Sequence, residues 1–226
     1  MSSLETIILT LSLATSLSYT LTHRHPPGSP LRIATKTAST TLLAIHAHLH
    51  PSSPSLLSYA LSLSSLGDFL LALPDSDTTF TLGLSSFLAA HILYIRLFSS
   101  SAHSGLQSAL AHVFLSDDNT WKPATATVLG LFMIGMVVVL MPRLPRDLRI
   151  PVLVYSVAIY GMSVTALGLG DDKSKVVVGA LMFTASDAIL AMDRFLVDGT
   201  SSHKRWMGYA VWVLYYSGQV LITLGF

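Results

Sequence analysis

The chain has 226 residues, 51% of them hydrophobic and 11% charged, with a formal net charge of +1 and no cysteine. Soluble domains carry roughly 25% charged residues, so this composition belongs in a bilayer rather than in water. The small net charge gives no case for nucleic acid as a partner, and the missing cysteines exclude disulfide and thiolate chemistry.

A spanning helix needs about 20 mostly apolar residues. Eight segments meet that need, which predicts an all-α fold: a polytopic membrane protein built as an eight-transmembrane-helix bundle, one domain over 1–226. The first segment covers 4–21, and Glu5 occupies the place where a cleavable signal would be positive, so this span is expected to stay. "HRHPPGSP" breaks the chain before the second segment, 31–50, which carries Lys36 and many threonines. "HPSSP" precedes the third, 55–73, with Gly67-Asp68 inside it, and "PDSD" precedes the fourth, 79–98, with His91 and Tyr94. The long connection, about 99–123, contains "SGLQSALAHVFLSDDNTW", which reads as a short helix lying at the interface. The fifth and sixth segments, 124–141 and 150–170, are separated by "PRLPRD". The seventh, 175–195, holds Asp187 and ends at Arg194, and the eighth, 206–225, holds Tyr215, Tyr216 and Gln219. Arg24, Arg32, Arg143, Arg146, Arg149, Lys204 and Arg205 fall in odd-numbered connections, against Lys122, Lys173 and Lys175 in even ones. That bias favours odd connections in the cytosol. An endomembrane location is expected for a eukaryotic source.

Ionisable side chains within spans are costly and usually face the bundle interior. Four stand out: Lys36, Asp68, His91 and Asp187. At 1.5 Å per residue, Lys36 and Asp68 lie about 8 Å from one face of the membrane and Asp187 about 12 Å from the same face. His91, Tyr215 and Tyr216 lie deeper, and Gln219 follows one turn on. These groups are expected to line one cavity open to that side. Each also has a plain alternative. Lys36 snorkels to the interface, His91 makes an ordinary helix contact, and Tyr215 and Tyr216 pack.

Two motifs are decoys. "GLGD" at 168–171 has the Gly-x-Gly-Asp pattern of intramembrane aspartyl proteases, but it runs into the polar "DDKSK", and no Tyr-Asp dipeptide accompanies it. A helix end explains it better. In "HAHLH", only His46 and His50 share a helical face; His48 points elsewhere. With no carboxylate beside them in sequence, solvation at the interface is expected.

Three blocks carry a resemblance: "GDFLLAL" with "FTLGLSSFLAAHILYI" (67–73 and 80–95), "GALMFTASDAILAMDRF" (179–195) and "VLYYSGQVLITLG" (213–225). Together they resemble the YhhN-type family of eight-span membrane proteins, which includes the lysoplasmalogenases. The resemblance is thin over the first 30 residues and over 97–123. It implies hydrolysis of the vinyl ether bond of a lysoplasmalogen, a lysophospholipid drawn from the bilayer, to a fatty aldehyde and glycerophosphoethanolamine or glycerophosphocholine. It places the two acids at Asp68 and Asp187 as catalytic residues. Polar companions fall at Lys36, His91, Tyr94, Tyr215, Tyr216 and Gln219. No metal or organic cofactor is implied.

The chemistry suits carboxyl groups. A vinyl ether is stable to base and labile to acid, because protonation of its terminal alkene carbon gives an oxocarbenium ion that water then captures. A carboxyl pair serves an oxocarbenium path in glycosidases. One acid must be protonated and the other ionised; burial favours the first state and a cation such as Lys36 the second. His91 is a candidate proton relay, Tyr94 and Tyr215 candidates to hold water or the ether oxygen, and Lys36 or Arg194 to contact the lipid phosphate. Two other readings stay open: a hydrolase of another lysolipid, and a proton-coupled transporter or lipid-binding protein.

Overall fold

The computed structural model describes residues 2–23, 25–74, 76–103, 105–115, 121–198, 201 and 203–226. Among them the secondary structure is helical throughout: nine α-helices and one short 3₁₀ turn. The chain forms two compact units, Met1–Leu93 with Phe226, and Tyr94–Gly225.

The first unit contains α1 (Ser3–Thr22), α2 (Pro30–Leu49), α3 (Ser55–Ala72) and the start of α4 (Asp77–His103). A capping box starts α1: the Glu5 amide donates to Ser2 Oγ at 3.3 Å, and the Ser2 amide to Glu5 Oε2 at 3.0 Å. Pro30 opens α2, where a missing N–H costs nothing. Small hydroxyls then join neighbouring helices. Ser12 donates to the Ser39 carbonyl at 2.6 Å between α1 and α2. Thr41 and Ser65 meet at 2.6 Å between α2 and α3. Ser86 on α4 donates to the Leu63 carbonyl at 2.7 Å. Without water, such bonds and close backbone approach replace hydrophobic association as the packing force.

The second unit contains the rest of α4, then α5 (Leu106–Phe114), α6 (Trp121–Leu140), α7 (Arg146–Leu167), α8 (Ser174–Phe195) and α9 (His203–Thr223). Its tightest seam joins α8 to α9 at two glycines. A Cβ on Gly179 would lie 2.6 Å from the Gly218 carbonyl oxygen, and one on Gly218 would lie 2.7 Å from the Gly179 carbonyl oxygen. Only glycine permits that approach.

All eight expected segments are helices, with ends shifted by a few residues. The largest shift is at the C-terminal end of the fourth, where α4 continues to His103. The ninth helix, α5, is the expected short one, but Ala109 and Val113 are fully buried and its backbone closely approaches Gly168 at the end of α7. That side has a protein partner, while Leu106, Leu110 and Phe114, spaced to share another side, stay exposed as an interfacial helix requires. Among the described residues, six of the long helices have the length and apolarity to cross a membrane: α1, α3, α4, α6, α7 and α8. The protein is therefore an integral, multi-pass membrane protein. The α2 helix departs from that standard through Arg32, Lys36 and its histidines, and α9 through its tyrosines, tryptophans and Gln219.

Gly179→Ala is expected to destabilise the protein by about 1–3 kcal/mol, the usual cost of overpacking. Gly135→Ala is the control, because a Cβ there meets nothing within 4 Å. Thermal denaturation in detergent should show a lower Tm for the first variant and an unchanged or higher Tm for the second.

Candidate active site

In the first unit, α2 presents Lys36 and Thr40 one turn apart, hence on one face. Both reach Asp68 on α3, which is 1% exposed. The Thr40 hydroxyl donates to Oδ2 at 2.7 Å, and Lys36 Nζ lies 3.5 Å from Oδ1. Lys36 thus forms an ion pair inside the unit. Gly67 makes the setting possible: a Cβ there would lie 2.5 Å from the ring of Phe87 on α4. His91, also on α4, is fully buried.

Just past α1, His23 Nδ1 lies 3.1 Å from the Tyr19 hydroxyl. Burial, and then the positive charges of Arg32 and Lys36, push its pKa down to about 4. This histidine therefore adds no positive charge beside Lys36 at neutral pH.

In the second unit, Asp187 on α8 is half-buried and accepts a short hydrogen bond at Oδ2 from the Tyr155 hydroxyl of α7. Asp187 also lines a cavity of about 80 Å³ between α6, α7 and α8. The α6 wall is apolar: Leu129, Phe132, Met133 and Met136, one stripe at helical spacing. From α7 and α8 come hydroxyls, among them Ser163 and Thr184, whose oxygens meet at 2.6 Å. The cavity is thus a greasy slot with a carboxyl group and hydroxyls on one side.

The remaining expected residues occupy other positions in this unit. Tyr94 and Gln219 are brought together: the fully buried Tyr94 hydroxyl donates to Gln219 Oε1 at 2.5 Å. Tyr215 and Tyr216 belong to an aromatic cluster. Phe183 meets Tyr215 edge-on at 5.1 Å, and Trp212 stacks on Tyr216 at 5.6 Å. Tyr94, Gln219, Tyr215 and Tyr216 are outside the cavity lining, although Tyr215 is near enough to Tyr155, the partner of Asp187, to interact with it electrostatically. Arg194 sits in the last turn of α8. It follows Asp187 by seven residues, so it lies on the same side of the helix, about 10 Å along it.

Sequence reasoning missed Tyr155 and Thr40. A tyrosine within a span needs a partner for its hydroxyl, and Lys36 and Thr40 are spaced to share one; those were the available signals. It also missed the carboxylate beside the histidines. His50 Nδ1 is 3.3 Å from Glu5 Oε2, and His46 Nδ1 is 3.2 Å from the Glu5 carbonyl oxygen. The two rings stack at 6.1 Å. His46 is buried, so simple interfacial solvation does not describe it. The other decoy behaves as expected: Gly168 caps α7, and Asp171 is exposed in the 3₁₀ turn.

A polytopic helical protein with an acid bound inside each of its two units is the class that fold and site define. The model of the YhhN family matches residues 31–226, and the chain belongs to that family. The match runs through the 97–123 connection and leaves out the first 30 residues. The chain is similar to the lysoplasmalogenase of Mycobacterium bovis (strain ATCC BAA-935 / AF2122/97), 32% identical over 212 residues, covering 90% of this chain and 75% of the relative. It is also similar to lysoplasmalogenase TMEM86B of Homo sapiens, 30% identical over 169 residues, 75% of this chain and 62% of the relative. The Sus scrofa protein of that name is 33% identical over 165 residues. No solved structure matches the chain.

Lys36→Met should leave a buried carboxylate without its cation and cost about 3–5 kcal/mol. Adding Asp68→Asn should recover part of that loss, read as Tm of the single and double variants. A second measurement concerns His23. Its folded pKa is depressed from the ordinary 6.5 to about 4, so above pH 6.5 it has no effect on stability. As pH falls from 6.5 towards 4, the unfolded chain takes up a proton that the folded one refuses, and stability is lost. His23→Gln should flatten that part of the Tm-against-pH curve.

Proposed function

We propose that this protein is an intramembrane hydrolase of lysoplasmalogens, which cleaves the vinyl ether bond of a single-chain ether lysolipid by carboxyl acid–base catalysis. Support comes from the family, from the lysoplasmalogenase name its relatives carry, and above all from one observation. Asp187, held by Tyr155, opens onto a narrow apolar cavity inside the helical unit. A lipid with one chain and a reactive bond near its head group needs such a neighbourhood: apolar wall along the chain, proton source at the bond.

In this reading Asp187 acts from its protonated form. With Oδ2 engaged by the Tyr155 phenol, the transferred proton is assigned to Oδ1. It passes to the alkene carbon remote from the ether oxygen: the π electrons form the new C–H bond, and an oxygen lone pair completes the oxocarbenium ion. The carboxylate left behind stabilises that charge, then takes a proton from the water that adds to the cation. The hemiacetal collapses to a fatty aldehyde and the glycerophospho alcohol. Arg194, further along the same side of α8, is assigned to the lipid phosphate, which guanidinium binds in bidentate fashion. Asp68 is assigned the role of an anion: an ammonium and a hydroxyl both aim donors at its oxygens. His91 is assigned a supporting role. The proposal includes all eight long helices as spans; α2 buries Ser39, Thr40 and His46 in protein, and α9 buries Gln219 and Thr223. Transport remains the alternative, because buried carboxylates also serve proton relays.

Purified protein given a lysoplasmalogen should release fatty aldehyde. Asp187→Asn and Asp68→Asn should each lower the rate by about 10²–10⁴-fold, the usual scale of general acid–base catalysis, while still folding. His91→Ala should cost less than either, and Asp171→Asn should have no effect. Proton-dependent uptake into liposomes without aldehyde would replace the hydrolase reading with transport.

A further inference from the structure

The α6 helix is held differently from its neighbours. Its buried residues are Lys122 and Ala126 near one end and Leu140 at the other, with none between. Lys122 Nζ donates to the Leu169 carbonyl at 3.1 Å, and the Ala126 carbonyl accepts from the Tyr160 hydroxyl at 3.2 Å. The stretch between these pins contains Gly130, where a Cβ would lie 3.2 Å from the Tyr160 hydroxyl, and Gly135. A Cβ at Gly135 would meet nothing within 4 Å, so no packing contact calls for glycine there, and glycine in an exposed helix costs about 1 kcal/mol relative to alanine. The outer face is apolar apart from Thr127, with Val128, Leu131, Ile134 and Val138 all exposed. By contrast, α7 and α8 are joined by the Tyr155–Asp187 and Ser163–Thr184 hydrogen bonds, and α8 and α9 by their glycine seam.

The cavity behind α6 is about 80 Å³. An engineered cavity of about 150 Å³ accepts benzene, so this space, which is partly open beside the exposed Phe132, is too small to enclose an alkyl chain as it stands. The carboxyl group and hydroxyls lie on the α7–α8 side, and the movable wall is the greasy one. We propose that α6 is a lateral gate: its middle parts from α7 and α8 to admit one alkyl chain from the bilayer, bringing the lipid's polar end to Asp187. The occupant, a single-chain lysophospholipid, rests on the hydrolase reading; the gate itself rests on the packing of α6.

The test uses the absence of native cysteine. Met133→Cys sits on the cavity wall, and Val138→Cys on the outer face. The probe is an uncleavable 1-O-alkyl lysophosphatidylcholine, added to protein in discs of diacyl phosphatidylcholine. Maleimide labelling at position 133 should slow severalfold with the probe, and labelling at 138 should not change. Unchanged labelling at 133, or equal slowing at both positions, would overturn the proposal; Met136→Cys repeats the measurement should Met133→Cys fold poorly. Bridging Met133→Cys to Ala188→Cys with a short bismaleimide should abolish binding of radiolabelled probe, and retained binding would also overturn it. Both readouts are of binding. Protection without aldehyde release would remove the hydrolase reading and keep the gate; aldehyde release without protection would do the reverse.

Discussion

A carboxyl group inside a bilayer has no water to bond, so a neighbouring helix must supply its donors. That requirement organises both units of this protein. Asp68 takes its ammonium and hydroxyl from successive turns of α2, which fixes how α2 and α3 are rotated against each other. Asp187 takes a phenol from α7 and does the same for α7 and α8. In each case a polar contact that hydrocarbon makes costly to break sets the register of apolar surfaces that would otherwise slide.

Packing divides the second unit into a close-packed part and a less buried one. Glycines at the α8–α9 seam bring two backbones together. The aromatic cluster of Phe183, Trp212, Tyr215 and Tyr216, with the Tyr94–Gln219 hydrogen bond, fills the space around it. This part holds Asp187 in position. The less buried part is α6, whose inner stripe covers the cavity and which has no fully buried residue between Ala126 and Leu140.

Much of the fold was legible in the sequence, because spans are written as long apolar runs and their ends as proline, glycine and acid clusters. The ends of α3 and α8 were readable to within a residue or so for that reason. The extension of α4 to His103 was not, since "SSSAH" carries no stop signal and no apolar run. Of the candidate site, the burial of Asp68 and the partnering of Asp187 were legible because acids are so rare in spans. Lys36 beside Asp68 was suggested by equal depth. Their other partners were hidden. Thr40 and Tyr155 are ordinary residues whose importance comes from the helix they face, and Glu5 meets His50 across 45 positions of chain. Periodicity reports which face of a helix is polar; it does not report what that face meets.

The central chemical claim is that a buried carboxyl group delivers a proton to carbon. Turnover of a lysoplasmalogen in D₂O tests it most directly, with the aldehyde trapped at once as a hydrazone and analysed by mass spectrometry. The account predicts one deuterium at the carbon next to the aldehyde group, with slower turnover than in H₂O. Aldehyde released without deuterium on that carbon would mean that the bond breaks by another route and would contradict the account.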